Sequence, residues 1–268
     1  MRFIGSDSCS LSDDLALHDT ECQRGTARLT RPKRRVLADR IKAYYESAPD
    51  VHLINQLAAA EARHYEALRR INYRTNIAKL RAAALATAGN ACPYCGAVGM
   101  PDALDHFLPK EKYPEYSVVR ANLVPICSHC NNAKGQTVRD NLNRRVFRHP
   151  YYDRDLTRRL VEAKITWVDG KPYFSLRARM KLPDALRSDI HRHISASSLA
   201  ERFATVGRQQ FKMWMDIQQS GNPYTRAVLL YGLEQEIRRR DGIGPNNWES
   251  VVLRAILKSK RAINVLSP

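Results

Sequence analysis

No apolar run in the 268-residue sequence is long enough to cross a bilayer, and no secretory signal or internal repeat interrupts it. A spanning protein, a secreted one and a repeat architecture are therefore set aside, and a cytoplasmic protein is expected. Acid is also scarce. Twenty-seven Asp and Glu stand against 44 Lys and Arg, for a net charge of +17 and a pI near 9.9. Such an excess suits a polyanion, because phosphates bound by Lys and Arg release counterions whatever their sequence. The basic residues recur in four stretches, Arg31 to Arg35, Arg63 to Arg81, Arg139 to Arg159 and Arg238 to Arg261, with Tyr151, Tyr152 and Trp248 interleaved. Many of these can equally be solvated helix faces. No recognition-helix motif for base edges is evident, so contact with phosphate rather than with bases is expected.

Cysteine is sparse as well, with six in the chain, but four of the six form two Cys-x-x-Cys pairs, Cys92/Cys95 and Cys127/Cys130. That spacing lets one tight turn aim two thiolates at a single ion, and two such turns complete a tetrahedral Cys₄ zinc site. Gly96 follows the first pair where a knuckle commonly needs positive φ. Buried free cysteines or a redox pair are the plainer alternatives. Cys9 and Cys22 have no such frame and are assigned no role. Thiols committed to a metal also suit a reducing compartment.

The stretch from Cys95 to Cys127 is longer than a minimal zinc ribbon needs. Two short strands fit within it, one ending near Asp105 and His106 and the other covering Asn122 to Pro125. Pro109 and Pro114 confine the link between them to loop. Helix signals begin at Ser128 to Asn131. A strand, loop, strand and helix in this order bring Asp105, His106 and Asn131 toward one small cleft.

In these residues the chain resembles the HNH endonuclease family, the ββα-metal nucleases, in its zinc-stapled form. The matching residues are Cys-Pro-Tyr-Cys at 92 to 95, Asp-His at 105 and 106, Asn-Leu at 122 and 123, and Cys-x-x-Cys-Asn-x-x-Lys at 127 to 134. The resemblance covers roughly residues 91 to 135. It implies His106 as the general base and Asn122 as the central Asn that holds the loop and orients the base. Asn131 stands where many members carry the final His, and with Asp105 it is expected to share a hard divalent ion.

The chemistry asks for the same residue types. Phosphodiester hydrolysis needs a deprotonated water in line with the leaving oxygen, and a neutral imidazole is a suitable base near neutral pH. Oxygen ligands such as Asp105 and Asn131 suit magnesium or manganese, which stabilises the departing oxygen, whereas thiolates suit zinc. Lys134, one turn beyond Asn131, is placed to touch a phosphate. Plainer roles exist for each residue. Asn122 can cap a turn and Asn131 a helix, His129 can face solvent, and His149 can be structural.

The rest of the chain reads as scaffold for a mostly helical α+β protein. Residues 1–31 are expected to be a loose N-terminal segment, 32–90 a helical part, 91–150 the nuclease core, and 151–268 a C-terminal part with a β-hairpin and helices. From Pro32 to Ala88, Leu53, Leu57, Ala60, His64, Leu68, Ile71, Ala78, Ala82 and Leu85 trace one stripe at steps of three and four, ended by Gly89-Asn90. A hairpin turns at Asp169-Gly170 within Ile165 to Leu176. Helices are expected at Pro183 to Gln219, Pro223 to Arg240 and Asn246 to Leu266. The leading function is a metal-dependent endonuclease on DNA, most naturally double-stranded, with structural zinc and catalytic magnesium or manganese. RNA stays open as a substrate, and no membrane partner is expected. The second reading is a non-catalytic zinc-stapled module that binds nucleic acid or protein. The large unassigned part offers surfaces for a regulatory partner protein or a homodimer. Restriction, phage defence, mobile elements and repair are all compatible settings.

Overall fold

The structure is a computed structural model and describes residues 1–5, 9–24, 28–69, 82–86, 89, 91–99, 101–220 and 223–267. It is mostly helical with two small antiparallel sheets, the α+β class expected. None of its helices is long and apolar enough to cross a membrane. Two compact units are formed. One comprises Met1–Phe3, Asn90–Gly99 and Asp155–Pro268, the other Ile4–Gly89 and Met100–Arg154. These units cut across the divisions expected from sequence: the ββα residues share a unit with the N-terminal helices.

That unit begins with α1 (Leu11–Arg24) and α2 (Arg31–Glu46), where a loose segment through residue 31 is expected from sequence. Asp14 explains the order. Its buried carboxylate accepts the backbone N–H of Arg120 at 2.9 and 3.0 Å and the Tyr45 hydroxyl at 2.7 Å, so α1 is tied to chain far away in sequence. Helix α2 opens with Pro32 in its first turn and buries Leu37, Ile41 and Tyr44. It stops before Pro49, which restricts the residue ahead of it and supplies no N–H.

The helical stretch expected from Pro32 to Ala88 is interrupted here. Among the described residues beyond this break, Val51–Leu53 is a helical turn, 54–58 are not helical, Ala59–Ala62, Arg63–Tyr65 and Glu66–Arg69 follow one another without a gap, and 82–86 are helical. Of the expected stripe, Leu68 is buried and Leu57 and Leu85 are half-buried, while Leu53, Ala60, His64 and Ala82 are exposed. Ile71 and Ala78 lie outside the described residues.

Strands β1 (Ala103–His106) and β2 (Leu123–Ile126) pair antiparallel, Asp105 opposite Val124 and His106 opposite Leu123. Leu104 and Leu123 pack with Ala84 in a small apolar cluster. Helix α3 (Ser128–Lys134) follows at once. The Ser128 N–H at its start donates to Asp102 Oδ1 at 3.0 Å.

In the other unit, β3 (Val161–Val168) and β4 (Lys171–Ala178) form the expected hairpin. Asp169 and Gly170 have φ of 48° and 73°, the pair of positive values a two-residue turn needs. The first expected C-terminal helix is two, α4 (Asp184–Ala196) and α5 (Ala200–Gln219), interrupted where Ser198 takes φ 49°. After α6 (Arg226–Asp241) the last is also two, α7 (Trp248–Lys258) and α8 (Lys260–Leu266). Asn247 and Ser259 cap α7 and α8 by accepting N–H bonds, which a helical pattern alone does not show. Gly207 of α5 lets the helix seat on β4, since a Cβ there falls 2.4 Å from the Phe174 ring.

Candidate active site

The first knuckle is a tight turn. Gly96 N–H donates to Cys92 O at 2.7 Å, Cys92 N–H to Ala97 O at 3.2 Å, and Ala91 bridges to Val98. Gly96 has φ 79°, and a Cβ there meets Met1 N at 2.4 Å and Asn246 O at 2.5 Å, so only glycine fits. The turn is anchored in its unit by Arg2 N–H to Pro93 O at 2.8 Å and by His193 Nε2, which donates to Tyr94 O at 2.7 Å. In the second knuckle, Cys127 is the extended N-cap of α3 and Cys130 lies within the helix.

None of the six cysteines is in a disulfide. Cys92, Cys95, Cys127 and Cys130 form the one group of three or more metal-ligating side chains of this kind among the described residues, and their sulfurs all lie within 4.8 Å of one another. Zinc–thiolate bonds of about 2.3 Å put tetrahedral sulfurs roughly 3.8 Å apart, so the group fits zinc in donor type and size. His129 stands outside the group; it is half-buried, and its Nε2 is shielded rather than turned to solvent.

His106, at the end of β1, is half-buried. Its Nε2 lies 2.9 Å from the carbonyl oxygen of Ser117. A carbonyl only accepts, so Nε2 carries the hydrogen and the neutral ring has its lone pair on Nδ1. Burial lowers the pKa of His106 to about 4, with Lys110 and Lys134 adding to the shift and the Ser117 bond opposing it. The ring is therefore neutral at physiological pH. Ser117 is itself held, its hydroxyl donating to Pro114 O at 2.7 Å.

Asn122 is fully buried and uses all its polar capacity. Oδ1 accepts the Leu108 N–H at 2.8 Å and Tyr44 Oη lies 3.2 Å away; Nδ2 donates to Leu108 O and Tyr116 O, both at 3.1 Å. The loop on either side of Pro114 is thus fastened to the residue before β2. His149 and Tyr44 extend this network. Tyr151 N–H donates to His149 Nδ1 at 3.3 Å, which leaves Nε2 to donate to Tyr44 Oη at 3.1 Å and the Tyr44 hydroxyl to donate toward Asn122. Burial pushes His149 down to about 3, so it stays neutral. It is a structural residue, fully buried. Tyr44 has no sequence signal for this part, because nothing local connects it with Asn122.

Lys134 departs furthest from expectation. Its side chain is 1% exposed, and Nζ lies 3.1 Å from both carboxylate oxygens of Asp105 and 3.0 Å from His106 O. The ammonium expected at a phosphate is instead committed to Asp105. Asn131, three residues earlier on α3, is half-buried. A carboxylate and an amide oxygen suit a magnesium-class ion in kind. The Lys134 ammonium beside Asp105 offsets the charge that attracts a cation.

Residues 92–137 match the family model of the HNH endonucleases. This stretch is an HNH endonuclease domain. It contains both cysteine pairs, Asp105, His106, Asn122, Asn131 and Lys134. Protein ea31 of Escherichia phage lambda is 36% identical over 126 residues, which cover 44% of this chain and 41% of that protein. The chain thus spans about two fifths of the curated relative it matches. No solved structure matches it.

Proposed function

We propose that the protein is a metal-dependent endonuclease that hydrolyses phosphodiester bonds in double-stranded DNA. The observation that carries this reading is the His106 ring, neutral and pinned through Nε2 to Ser117 O so that Nδ1 alone can take a proton. In this reading Nδ1 accepts the proton of the attacking water. Asn122 positions the ring indirectly, by fixing the loop that presents Ser117. Asp105 and Asn131 would hold a magnesium or manganese ion, which supplies Lewis-acid stabilisation of the leaving oxygen. The thiolate group would hold zinc as a structural clamp, closed to water by its four ligands.

Plasmid nicking tests the reading. Cleavage is expected with added magnesium or manganese, lost on chelation, and lost in His106→Ala. One observation favours the second reading, a binding module without catalysis: the Asp105 carboxylate is buried against Lys134. Asp105→Ala separates the two, since partial rescue by excess metal is expected only of a catalytic ligand. DNA is the partner in the first reading, and nucleic acid or protein in the second. Control by a regulatory protein or a second copy of the chain, and a place in phage defence, belong to this proposal too.

A further inference from the structure

In the unit formed largely by residues after Asp155, β3 and α7 pack together beside a cavity of about 280 Å³. Arg159, Arg177, Arg179, Arg254 and Lys258 line it. Against these five cations stand two carboxylates. Glu162, in the wall, pairs with Arg177 at 2.9 Å, and Asp241 pairs with Arg159 at 3.0 Å and with Arg254. Three positive charges are left over around one small space. Arg254 is less exposed than Arg159 and Arg177, and its Nε is buried without a hydrogen-bond partner among the described residues. Burial depresses its pKa, and repulsion from Arg159 and Arg179 adds to the shift.

The backbone under these groups is fixed. Arg177 sits opposite Glu162 in the hairpin register, Arg179 N–H donates to Leu160 O at 3.0 Å, and the Arg179 guanidinium donates to Arg159 O at 3.1 Å. Small-molecule pockets run from roughly 300 to 1,000 Å³ and are mostly apolar. This one is at the lower end and ringed by guanidinium forks, which match phosphate oxygens. We propose that the cavity holds a backbone phosphoryl group of the DNA substrate, as an anchoring subsite separate from the ββα residues. The proposal rests on DNA being the substrate.

Anisotropy with a short labelled duplex, in the absence of added divalent metal, tests it. Arg179→Gln/Lys258→Gln is expected to weaken binding about 10-fold or more and to flatten the log–log salt dependence by about 1. Pyrophosphate should compete with the duplex on the wild-type protein and much less on this variant. Lys171→Gln/Lys181→Gln removes the same charge at exposed positions outside the cavity, and an equal loss there overturns the proposal. Pyrophosphate binding with duplex affinity unchanged in the variant also overturns it, as the mark of a site for free phosphate compounds. If the double variant melts early, exposed Lys258→Gln against Lys181→Gln makes the same comparison. Duplex binding without cleavage defeats the nuclease reading alone; cleavage with unaltered binding in the pocket variant defeats the pocket alone.

Discussion

Nζ of Lys134 lies 3.1 Å from both carboxylate oxygens of Asp105, in a pair that is almost wholly removed from water. Removing one partner of such a pair strands the other charge, at a cost of roughly 3–5 kcal/mol. Lys134→Met is therefore expected to lose about 3 kcal/mol of stability in urea unfolding. Asp105→Asn/Lys134→Met should lose less than the two single variants together. A Lys134→Met protein as stable as wild type would show that the lysine is free to serve a phosphate.

The fully bonded amide of Asn122 gives a second expectation. Asn122→Ala leaves Leu108 N–H and Leu108 O without their partner in a buried place and takes one of two donors from Tyr116 O, which keeps the Val119 N–H at 3.2 Å; each unsatisfied group costs about 1–3 kcal/mol. A loss of roughly 3–5 kcal/mol is expected, together with loss of activity. Tyr44→Phe deletes one hydroxyl from the same network and should cost about 1–2 kcal/mol. Thermal or urea unfolding compares them, and equal small losses in both would deny Asn122 its architectural part.

What could be read in the sequence follows from the range of the interactions. The Cys-x-x-Cys spacing, the Asp169-Gly170 turn and the β1, β2, α3 order are set by residues close in the chain, and each appears in the structure. Asp14 and Arg120, Tyr44 and Asn122, or His149 and Tyr44 meet across long separations, and no local pattern announces such contacts. The stripe from Leu53 to Leu85 misled in part for the opposite reason: a regular spacing persists in sequence although the chain is not helical at 54–58, between Leu53 and Ala60. Lys134 sits at the spacing expected for a phosphate contact, but spacing gives the face of a helix and not what covers it.

Two buried groups in α1 give pH-dependent stability of opposite sign. Burial raises Asp14 from 3.8 to about 6, so the fold prefers the neutral acid; its contribution is complete below pH 4 and fades as pH rises to 6. Burial lowers His18 from 6.5 to about 4, so its contribution is complete above pH 6.5 and fades as pH falls to 4. Each shift corresponds to about 3 kcal/mol. The stability difference between wild type and Asp14→Asn should fall by about that much from pH 4 to 6, and the difference between wild type and His18→Gln should rise. Parallel pH profiles for wild type and both variants would contradict these environments.

The thiolate group predicts about one zinc per purified chain. Chelation of that zinc, or Cys127→Ser, is expected to lower the melting temperature and soluble yield, because structural zinc contributes directly to folding free energy. A quadruple cysteine variant that folds and melts like wild type would remove the zinc assignment.

The neutral, tethered ring of His106 is the centre of the functional account, and cleavage of supercoiled plasmid by His106→Ala tests it most directly. With magnesium or manganese present, the variant should cut roughly 10²–10⁴-fold more slowly than wild type while keeping its fold, and extra metal should not restore it. Wild-type cleavage by His106→Ala, in protein free of contaminating nuclease, would contradict His106 as the base and leave the non-catalytic module as the reading of this domain.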